Sequence, residues 1–465
     1  MTTLTFAVRR HAPELVAPAV PTPRETKRLS DIDDQDGLRA HVPTVFFYRG
    51  ARRRDDDPAA VIRRALGEAL VPYYPLAGRL REVAGRKLVV DCTAEGVLFV
   101  EADADVRLAE LEAATGVIRE PLPCMDQLLF DVEGSSGMLN CPFLLIQVTR
   151  LLCGGFVFAL RLNHVMCDAT GIAQFIFAVA ELARGLPSPT VSPAWSRELL
   201  EARSPPRPAF PHREYDAVPP TAAAPPPGDV ISRTFTFTRA DIAAIKEGLP
   251  PHLHDKVTTF EAVAAGVWRA RTVALDLPAD DELRLAVVAN FRRVRELGLP
   301  AGYYGNACIF LMAVTTAGAL RAGSLGDAVE LVREAKVAVT AEYVRSTADH
   351  LVLRGRPNVA PANLLLVSDS RHAGFQRVDF GWGEPVYGGP VHTQPSTALL
   401  IAARNVDGED ELVVPIMLTQ PAMDRFASEI EMLVTGGSGS ILASRTCSWI
   451  DLAMPVPGRA QAPVR

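Results

Sequence analysis

The chain has no apolar run long enough to cross a membrane and no Cys-x-x-Cys pair among its seven scattered cysteines. A membrane-spanning helix needs about 20 apolar residues, and the first ten residues lack the apolar core of a secretory signal. The cysteine spacing disfavours a disulfide framework and a structural zinc site. We therefore expect a protein of a reducing compartment, most simply the cytoplasm. A peroxisomal location is not excluded, although the C-terminus is not Ser-Lys-Leu.

The chain also lacks an excess of basic charge. The net charge is −6, and no basic patch is interleaved with aromatic residues, so a nucleic acid is not expected as a partner. A composition of 48% hydrophobic and 22% charged residues is typical of a packed globular protein. With 465 residues the chain is longer than those that usually fold around a single hydrophobic core, which favours two large domains or three small ones.

Several common catalytic and binding motifs are missing. There is no Gly-x-x-x-x-Gly-Lys-Ser/Thr and no Gly-x-Gly-x-x-Gly after a strand, which disfavours the usual nucleotide-phosphate sites. Gly437-Ser438-Gly439-Ser440 lacks the spacing of a Gly-x-Ser-x-Gly nucleophile elbow. His252 and His254 form a close pair without a third ligand nearby, so a metal site is not expected.

A proline-rich segment over residues 187–229 divides the chain into two similar halves. We interpret it as a semi-rigid crossover between an N-terminal domain (1–186) and a C-terminal domain (230–465). Hydrophobic periodicity and turn residues predict strands at 42–48, 96–101, 143–151, 156–163, 231–238, 283–289, 307–314 and 363–368. They predict helices at 58–70, 171–184, 259–274 (capped by Thr259) and 324–341. Strands mixed with helices on both sides indicate an α/β fold.

The stretch from Asn163 to Gly171 places His164 directly after an apolar, strand-like run, with Asp168 four residues later. A histidine at a strand end suits general base catalysis because its ordinary pKa lies near neutrality. A lone histidine is more often a core residue whose ring is satisfied by backbone groups, and His-x-x-x-Asp by itself is a weak pattern.

A second unusual stretch is Asp379-Phe380-Gly381-Trp382-Gly383, followed by Pro385. Two glycines around a tryptophan indicate a rigid turn. The turn is either a structural loop with a packed aromatic ring or a loop that presents the indole N–H, a donor only, to a cavity.

Together these two segments resemble the plant BAHD family of acyl-CoA-dependent acyltransferases, in which His-x-x-x-Asp and Asp-Phe-Gly-Trp-Gly are defining motifs. The resemblance runs from about Leu4 to about Met454. Its opening stretch, residues 21–23 and 29–35, is most similar to the benzyl alcohol O-benzoyltransferase branch. Further matching stretches are 74–79 (Tyr-Pro-Leu-Ala-Gly-Arg), 147–149, 153–156 and 302–306 (Gly-Tyr-Tyr-Gly-Asn).

The resemblance implies two mixed-sheet domains similar to chloramphenicol acetyltransferase, with a channel at their interface. CoA would enter at one mouth and the alcohol at the other. His164 would take the alcohol proton as the oxygen attacks the thioester. Trp382 Nε1–H, and less directly the Ser368 hydroxyl, would stabilise the oxyanion.

Other residues receive supporting roles from the same resemblance. Asp168 would pair with Arg292 and brace the loop that carries His164. Asp379, Gly381 and Gly383 would be structural. CoA contacts would come from Lys256, Thr258, Thr259 and Asp369, because a helix N-terminus beside a lysine suits phosphate.

The implied activity is acyl-CoA:alcohol O-acyl transfer, with benzoyl-CoA and benzyl alcohol as the expected pair. Alternatives are acetyl or hydroxycinnamoyl transfer to another alcohol or an amine, a non-catalytic small-molecule-binding homologue, and a thioesterase-like hydrolase. We expect a monomer without a prosthetic group or metal, because CoA is a co-substrate.

Overall fold

A computed structural model describes residues 4–50, 56–115, 118, 125–131, 137–216, 229–391, 393–405, 408–435 and 452–453. Over these ranges the chain forms two seven-stranded sheets and one three-stranded sheet, with helices packed on them. The α/β prediction is therefore confirmed. Residues 217–228 of the proline-rich crossover and the Gly437–Ser440 stretch lie outside the described residues.

The strands, in chain order, are β1 (Val8–Arg10), β2 (Glu14–Val16), β3 (Thr26–Arg28), β4 (His41–Tyr48), β5 (Arg79–Val83), β6 (Lys87–Asp91), β7 (Val97–Ala104), β8 (Leu144–Leu151), β9 (Phe156–Asn163), β10 (Val230–Phe237), β11 (Glu282–Asn290), β12 (Cys308–Thr316), β13 (Leu364–Asp369), β14 (Tyr387–Pro390), β15 (Thr397–Arg404), β16 (Asp410–Thr419) and β17 (Leu452–Ala453). The helices are α1 (Pro58–Ala69), α2 (Leu108–Thr115), α3 (Met125–Leu128), α4 (Ala169–Ala183), α5 (Arg239–Glu247), α6 (Thr259–Leu275), α7 (Ala317–Ala322), α8 (Leu325–Val337), α9 (Ala341–Leu353) and α10 (Gln420–Thr435).

The cap of α6 and the end of the helix predicted over 324–341 differ from the sequence prediction, and α4 begins two residues early, at Ala169. The cap of α6 is Thr258 rather than Thr259: its hydroxyl accepts from Glu261 N, and the Glu261 carboxylate accepts from Thr258 N. The helix predicted over 324–341 ends at Val337, and α9 begins at Ala341 after the cap Thr340. A side-chain oxygen at a cap satisfies backbone N–H groups that the helix leaves free, and such a cap can start a new helix within an apparently continuous pattern.

The first sheet has the order β1-β7-β8-β9-β4-β14, with β2 also on β7. The even-numbered residues of β9 face α1 and α4 and lie in one buried core with Ile62, Phe175 and Ile176. Burial of side chains of this size stabilises by about 1.5–3 kcal/mol each. This core fixes β9, whose last residue directly precedes His164.

Strand β14 comes from the second half of the chain but pairs antiparallel with β4 of the first sheet. Phe375, Val378, Phe380 and Trp382, just before it, lie in the core of the first domain. The division into residues 1–186 and 230–465 is therefore incomplete, because this segment crosses back. The sequence of β14, Tyr-Gly-Gly-Pro, lacks the apolar pattern of a strand, because glycine and proline are disfavoured within sheets.

The second sheet has the order β12-β11-β13-β15-β16-β10-β17. One face, including Leu285, Val287, Leu311 and Val367, is buried in the core of the second domain. Side chains alternate along a strand, so the other face carries a row formed by Phe310, Val288, Ser368 and Leu399. The residues of this row are only half-buried.

That second face is directed toward the first domain. Asn290 at the end of β11 donates to Thr170 Oγ1 at the start of α4, at 3.4 Å. A Cβ placed on Gly389 of β14 would lie 3.7 Å from Cγ2 of Ile401 on β15. The half-buried row therefore lies at the domain interface.

The described part of the crossover combines buried residues, such as Leu200, with exposed ones, such as Phe210. Arg197 is 1% exposed, and Ala194 makes a parallel bridge with Tyr303 of the second domain. Along the described residues, no helix is both long enough and apolar enough to span a bilayer.

Candidate active site

His164 lies between the end of β9 and the start of α4. Its N–H donates to the Ala40 carbonyl, and its carbonyl accepts from Asn306 Nδ2, both at 2.9 Å. The side chain is half-buried, and its Nδ1 is buried without a hydrogen-bond partner among the described residues. The backbone is therefore fixed while the ring makes no structural hydrogen bond, which distinguishes His164 from an ordinary core histidine.

Asp168 caps α4 by accepting from Gly171 N at 2.9 Å. Its two carboxylate oxygens also accept from Arg292 Nη1 and Nη2 at 2.7 and 2.8 Å, and one accepts from Ala307 N at 3.0 Å. The Asp168 carboxylate thus accepts four hydrogen bonds, all of which hold the loop between β9 and α4 in place. This is the pairing with Arg292 that the sequence analysis expects.

Arg292 extends this brace into the second domain. Its Nη2 also donates to the Gly305 carbonyl at 2.6 Å, and its guanidinium lies 5.8 Å from the Tyr303 ring centroid. Burial opposes the charged form, but the Asp168 carboxylate outweighs this effect and raises the pKa of Arg292. The pair therefore ties the start of α4 to the loop after β11.

Ser368 lies on β13, whose parallel neighbour β11 ends at Asn290. The carboxyl ends of parallel strands share one edge of a sheet, and Asn290 at that edge contacts Thr170 beside the Asp168 cap. Ser368 therefore lies at the edge that faces the loop of His164. Its side chain projects from the half-buried face at the interface.

The Asp379 loop is a turn closed by its own carboxylate. Asp379 Oδ1 accepts from Gly381 N at 2.7 Å and from Gly383 N at 2.8 Å. Gly381 and Gly383 have φ values of 110° and 94°, which strongly favour glycine. Arg184, just after α4, donates to the Asp379 carbonyl. The Asp379 carboxylate and both glycine conformations are therefore used within the turn itself.

Trp382 is not brought to His164. It is 5% exposed, and its ring packs edge-on against Phe156, with ring centroids 5.3 Å apart. Phe156 begins β9, whereas His164 follows the end of that strand. The strand separates them by about 23 Å, too far for one oxyanion to contact both side chains. The assignment of Trp382 as an oxyanion donor is therefore corrected: the ring anchors the loop in the core.

The four residues expected to contact CoA do not form one cluster. Thr258 uses its hydroxyl as the α6 cap, and Asp369 is occupied by Arg371, with a shortest N–O distance of 2.6 Å. Lys256 is exposed. Thr259 lines an open cleft of about 550 Å³, together with cationic side chains at 239, 371, 377 and 404. Of the four, Thr259 alone is part of this cleft lining.

Comparison with known proteins shows the family of the chain. A family model described as the Transferase family matches residues 6–433. The chain belongs to the BAHD acyltransferase family. Among the relatives of this acyltransferase, benzyl alcohol O-benzoyltransferase of Petunia hybrida is 50% identical over 440 residues, covering 93% of this chain and 95% of that protein. The (Z)-3-hexen-1-ol acetyltransferase of Arabidopsis thaliana is 46% identical over 448 residues, covering 94% and 97%.

Solved structures give the same fold for this acyltransferase. The crystal structure of vinorine synthase has a TM-score of 0.71 at 23% identity and covers 92% of this chain and 98% of its own. That of F. graminearum TRI101, complexed with coenzyme A and T-2 mycotoxin, has a TM-score of 0.69 at 16% identity and covers 87% and 97%. The two-domain acyltransferase fold is therefore shown.

Three further residues of the acyltransferase, which sequence patterns did not identify, contact the His164 loop or support those contacts: Asp33, Arg197 and Asn306. Arg197 Nη2 donates to the Met166 carbonyl at 2.6 Å, and Asn306 Nδ2 donates to the His164 carbonyl. Two of them lie in stretches that carry the family resemblance, at 29–35 and 302–306. The third, Arg197, is one of several arginines in the proline-rich crossover, and the sequence does not identify its partner.

Proposed function

We propose that this acyltransferase transfers benzoyl from benzoyl-CoA to benzyl alcohol or a related small alcohol, forming benzyl benzoate and similar esters. The support for the substrates is the 50% identity, over nearly the whole chain, to benzyl alcohol O-benzoyltransferases of Petunia hybrida and Nicotiana tabacum. The proposed chemistry rests on His164. Its backbone is fixed by hydrogen bonds, and its ring makes no structural hydrogen bond to the described residues.

In the proposed reaction the alcohol donates its proton to the His164 imidazole as its oxygen attacks the thioester carbonyl carbon. The tetrahedral intermediate then collapses, the C–S bond breaks, and the imidazolium returns the proton to the CoA thiolate. A positioned general base contributes about 10²–10⁴-fold. The Asp168–Arg292 pair supports this role by fixing the loop, since its carboxylate is fully engaged away from the ring.

Direct attack is favoured over an acyl-cysteine intermediate. Cys167 lies three residues after His164, and Cys308 begins β12. Burial raises the pKa of Cys167 well above its ordinary value and that of Cys308 to about 12. Only a thiolate is a good nucleophile, so both sulfurs remain protonated and unreactive at neutral pH.

The Ser368 hydroxyl is the proposed donor to the oxyanion. It lies on the half-buried interface face and at the strand edge directed toward the His164 loop. Its neighbours Phe310, Leu366 and Leu399 on that face are apolar and also half-buried. An apolar wall around one hydroxyl suits an aromatic acyl group or alcohol.

The CoA phosphates are proposed to bind near the N-terminus of α6, at Lys256, Thr258 and Thr259. Backbone N–H groups at a helix N-terminus and a nearby cation favour anions. The cleft beside Thr259 also contains Arg371, which is bound to Asp369 one residue after Ser368. Asp369 is thus better suited to holding Arg371 than to contacting a phosphate.

The proposal includes a monomer that acts in the cytoplasm without a prosthetic group. Both walls of the proposed channel, the His164 loop and the second sheet, come from one chain, which supports a complete site in a monomer. Acetyl transfer to a small alcohol is the second candidate, because the Arabidopsis relative named for it is 46% identical.

Purified protein assayed with benzoyl-, acetyl-, hydroxycinnamoyl- and malonyl-CoA, against small alcohols and an amine, tests the proposal. Free thiol and ester product are both measured. We expect benzoyl-CoA with benzyl alcohol to give the highest kcat/KM, and His164→Ala to fold normally while losing at least 100-fold in kcat. Thiol release without alcohol would indicate a thioesterase. Most activity retained in His164→Ala would overturn the mechanism.

A further inference from the structure

We propose that Asn306 and Arg197 are positioning residues for His164, and that the buried carboxylate of Asp33 holds both of them. The inference rests on the proposed role of His164 as the general base. It assigns a function in the reaction to the crossover and to the loop before β12, neither of which contributes a reacting group.

Asp33 is the centre of this cluster and is 0% exposed. Its Oδ2 accepts from Ser30 N at 3.1 Å and from Ser30 Oγ at 2.5 Å. Its Oδ1 accepts from Asn306 N and Asn306 Nδ2, both at 2.9 Å, and forms an ion pair with Arg197 Nη1 at 2.6 Å. One carboxylate therefore joins the N-terminal segment, the crossover and the second domain.

Asn306 connects this carboxylate to the base. Its Nδ2 donates to both Asp33 Oδ1 and the His164 carbonyl. Its Oδ1 is buried and accepts no hydrogen bond from the residues that the structure describes. An unsatisfied buried acceptor is unfavourable for stability, so packing alone does not explain an amide at this position. The amide is explained by its N–H groups, which donate to two acceptors.

Arg197 contacts the same loop at Met166, two residues after His164. While paired with Asp33, it donates from Nη2 to the Met166 carbonyl at 2.6 Å. Its guanidinium lies 4.4 Å from the Trp195 ring centroid, which fixes the plane of the group. Burial by itself would lower its pKa, but the Asp33 carboxylate raises the pKa above its ordinary value, so the group stays charged.

The loop is thus held at two places by two different ion pairs. Arg292 and Asp168 fix its C-terminal end, where α4 begins. The Asp33 cluster fixes the carbonyl groups of His164 and Met166, close to the base itself. A reacting group displaced by about 1 Å can lose about 100-fold in rate, so loss of these contacts should reduce kcat more than substrate binding.

The test compares Asn306→Ala with the matched control Ser30→Ala. Both variants remove hydrogen bonds to Asp33 from a fully buried side chain, but only Asn306 also contacts His164. We expect both to lower Tm by similar amounts. Asn306→Ala should lose 10- to 100-fold in kcat with KM for the acyl-CoA within threefold, while Ser30→Ala keeps kcat within twofold.

Arg197→Lys provides a second variant that keeps the charge beside Asp33. Lysine lacks the planar fork of arginine and cannot reproduce both contacts, so we again expect a loss in kcat with KM preserved. Equal kcat losses in Ser30→Ala and Asn306→Ala, or unchanged kcat in both Asn306→Ala and Arg197→Lys, would overturn the inference. His164→Ala measured in parallel separates the two proposals: if it abolishes turnover while these variants retain theirs, only the positioning role fails.

Discussion

Removal of the Asp168 carboxylate should lower the stability of the protein, and should lower kcat only indirectly, by displacing the loop of His164. In Asp168→Ala the guanidinium of Arg292, whose side chain is 16% exposed, loses its partner while remaining partly buried. Breaking a buried pair from one side costs about 3–5 kcal/mol, and loss of an N-cap costs about 1 kcal/mol. Because these effects overlap at one loop, we expect a total of about 4 kcal/mol.

A loss of this size is readily measured. For domains of about 150–250 residues, 1 kcal/mol shifts Tm by roughly 2–4 °C, so Asp168→Ala should melt about 8–16 °C lower. Its kcat should also fall at least tenfold, because the start of α4 no longer fixes the loop of His164. Differential scanning calorimetry and thiol release at a temperature below both transitions provide the two measurements.

The double variant Asp168→Ala/Arg292→Met sharpens the test. It removes both charges, so the free energy of unfolding should fall by less than the sum of the two single losses. Asp57→Ala is the matched control: Asp57 caps α1 and pairs with Arg150 at 2.6 Å, at the opposite end of β9 from His164. This control should lower Tm modestly and leave kcat unchanged. An Asp168→Ala protein with wild-type Tm and greatly reduced kcat would refute the bracing role.

Two further predictions follow from the structure. Trp382→Phe keeps an aromatic ring against Phe156 and should retain kcat within twofold, whereas Ser368→Ala should lose 10- to 100-fold as an oxyanion donor is removed; comparable losses in both would restore the indole to the reaction. Burial, and next the neighbouring His212, lower the pKa of His350 below 6.5. The unfolded chain therefore binds more protons below pH 6.5, so stability is fully present above that pH and falls as the pH drops toward the folded pKa. The denaturation midpoint should decline between pH 7.5 and 5.5, and less so in His350→Gln; an identical decline in both proteins would exclude His350 as the cause.

Local sequence patterns were sufficient for most elements. The alternation of apolar residues predicted β9, and the apolar face of 58–70 predicted α1, because strand and helix periodicities are properties of short segments. Their boundaries agree within one or two residues. The capping box at Thr258 was misplaced by one residue, since either of two adjacent threonines could supply the hydroxyl.

The catalytic candidate and its brace were also accessible from the sequence. His164 and Asp168 are four residues apart, and Arg292 was identified by the family resemblance. The role of Trp382 was not accessible. A tryptophan between two glycines can line a cavity or anchor a core, and only its packing on Phe156 distinguishes these two positions.

The sequence alone therefore determined the α/β class and indicated the crossover and His164 as the candidate base, because these depend on short-range patterns and on motifs shared with the family. The tertiary structure alone decided that β14 returns to the first sheet, that Trp382 lies at the far end of β9, and that Asp33, Arg197 and Asn306 meet beneath His164. Those three residues are separated by more than 100 positions along the chain. Each carries only one polar or charged group, and such a group acquires a partner only when folding buries it beside that partner.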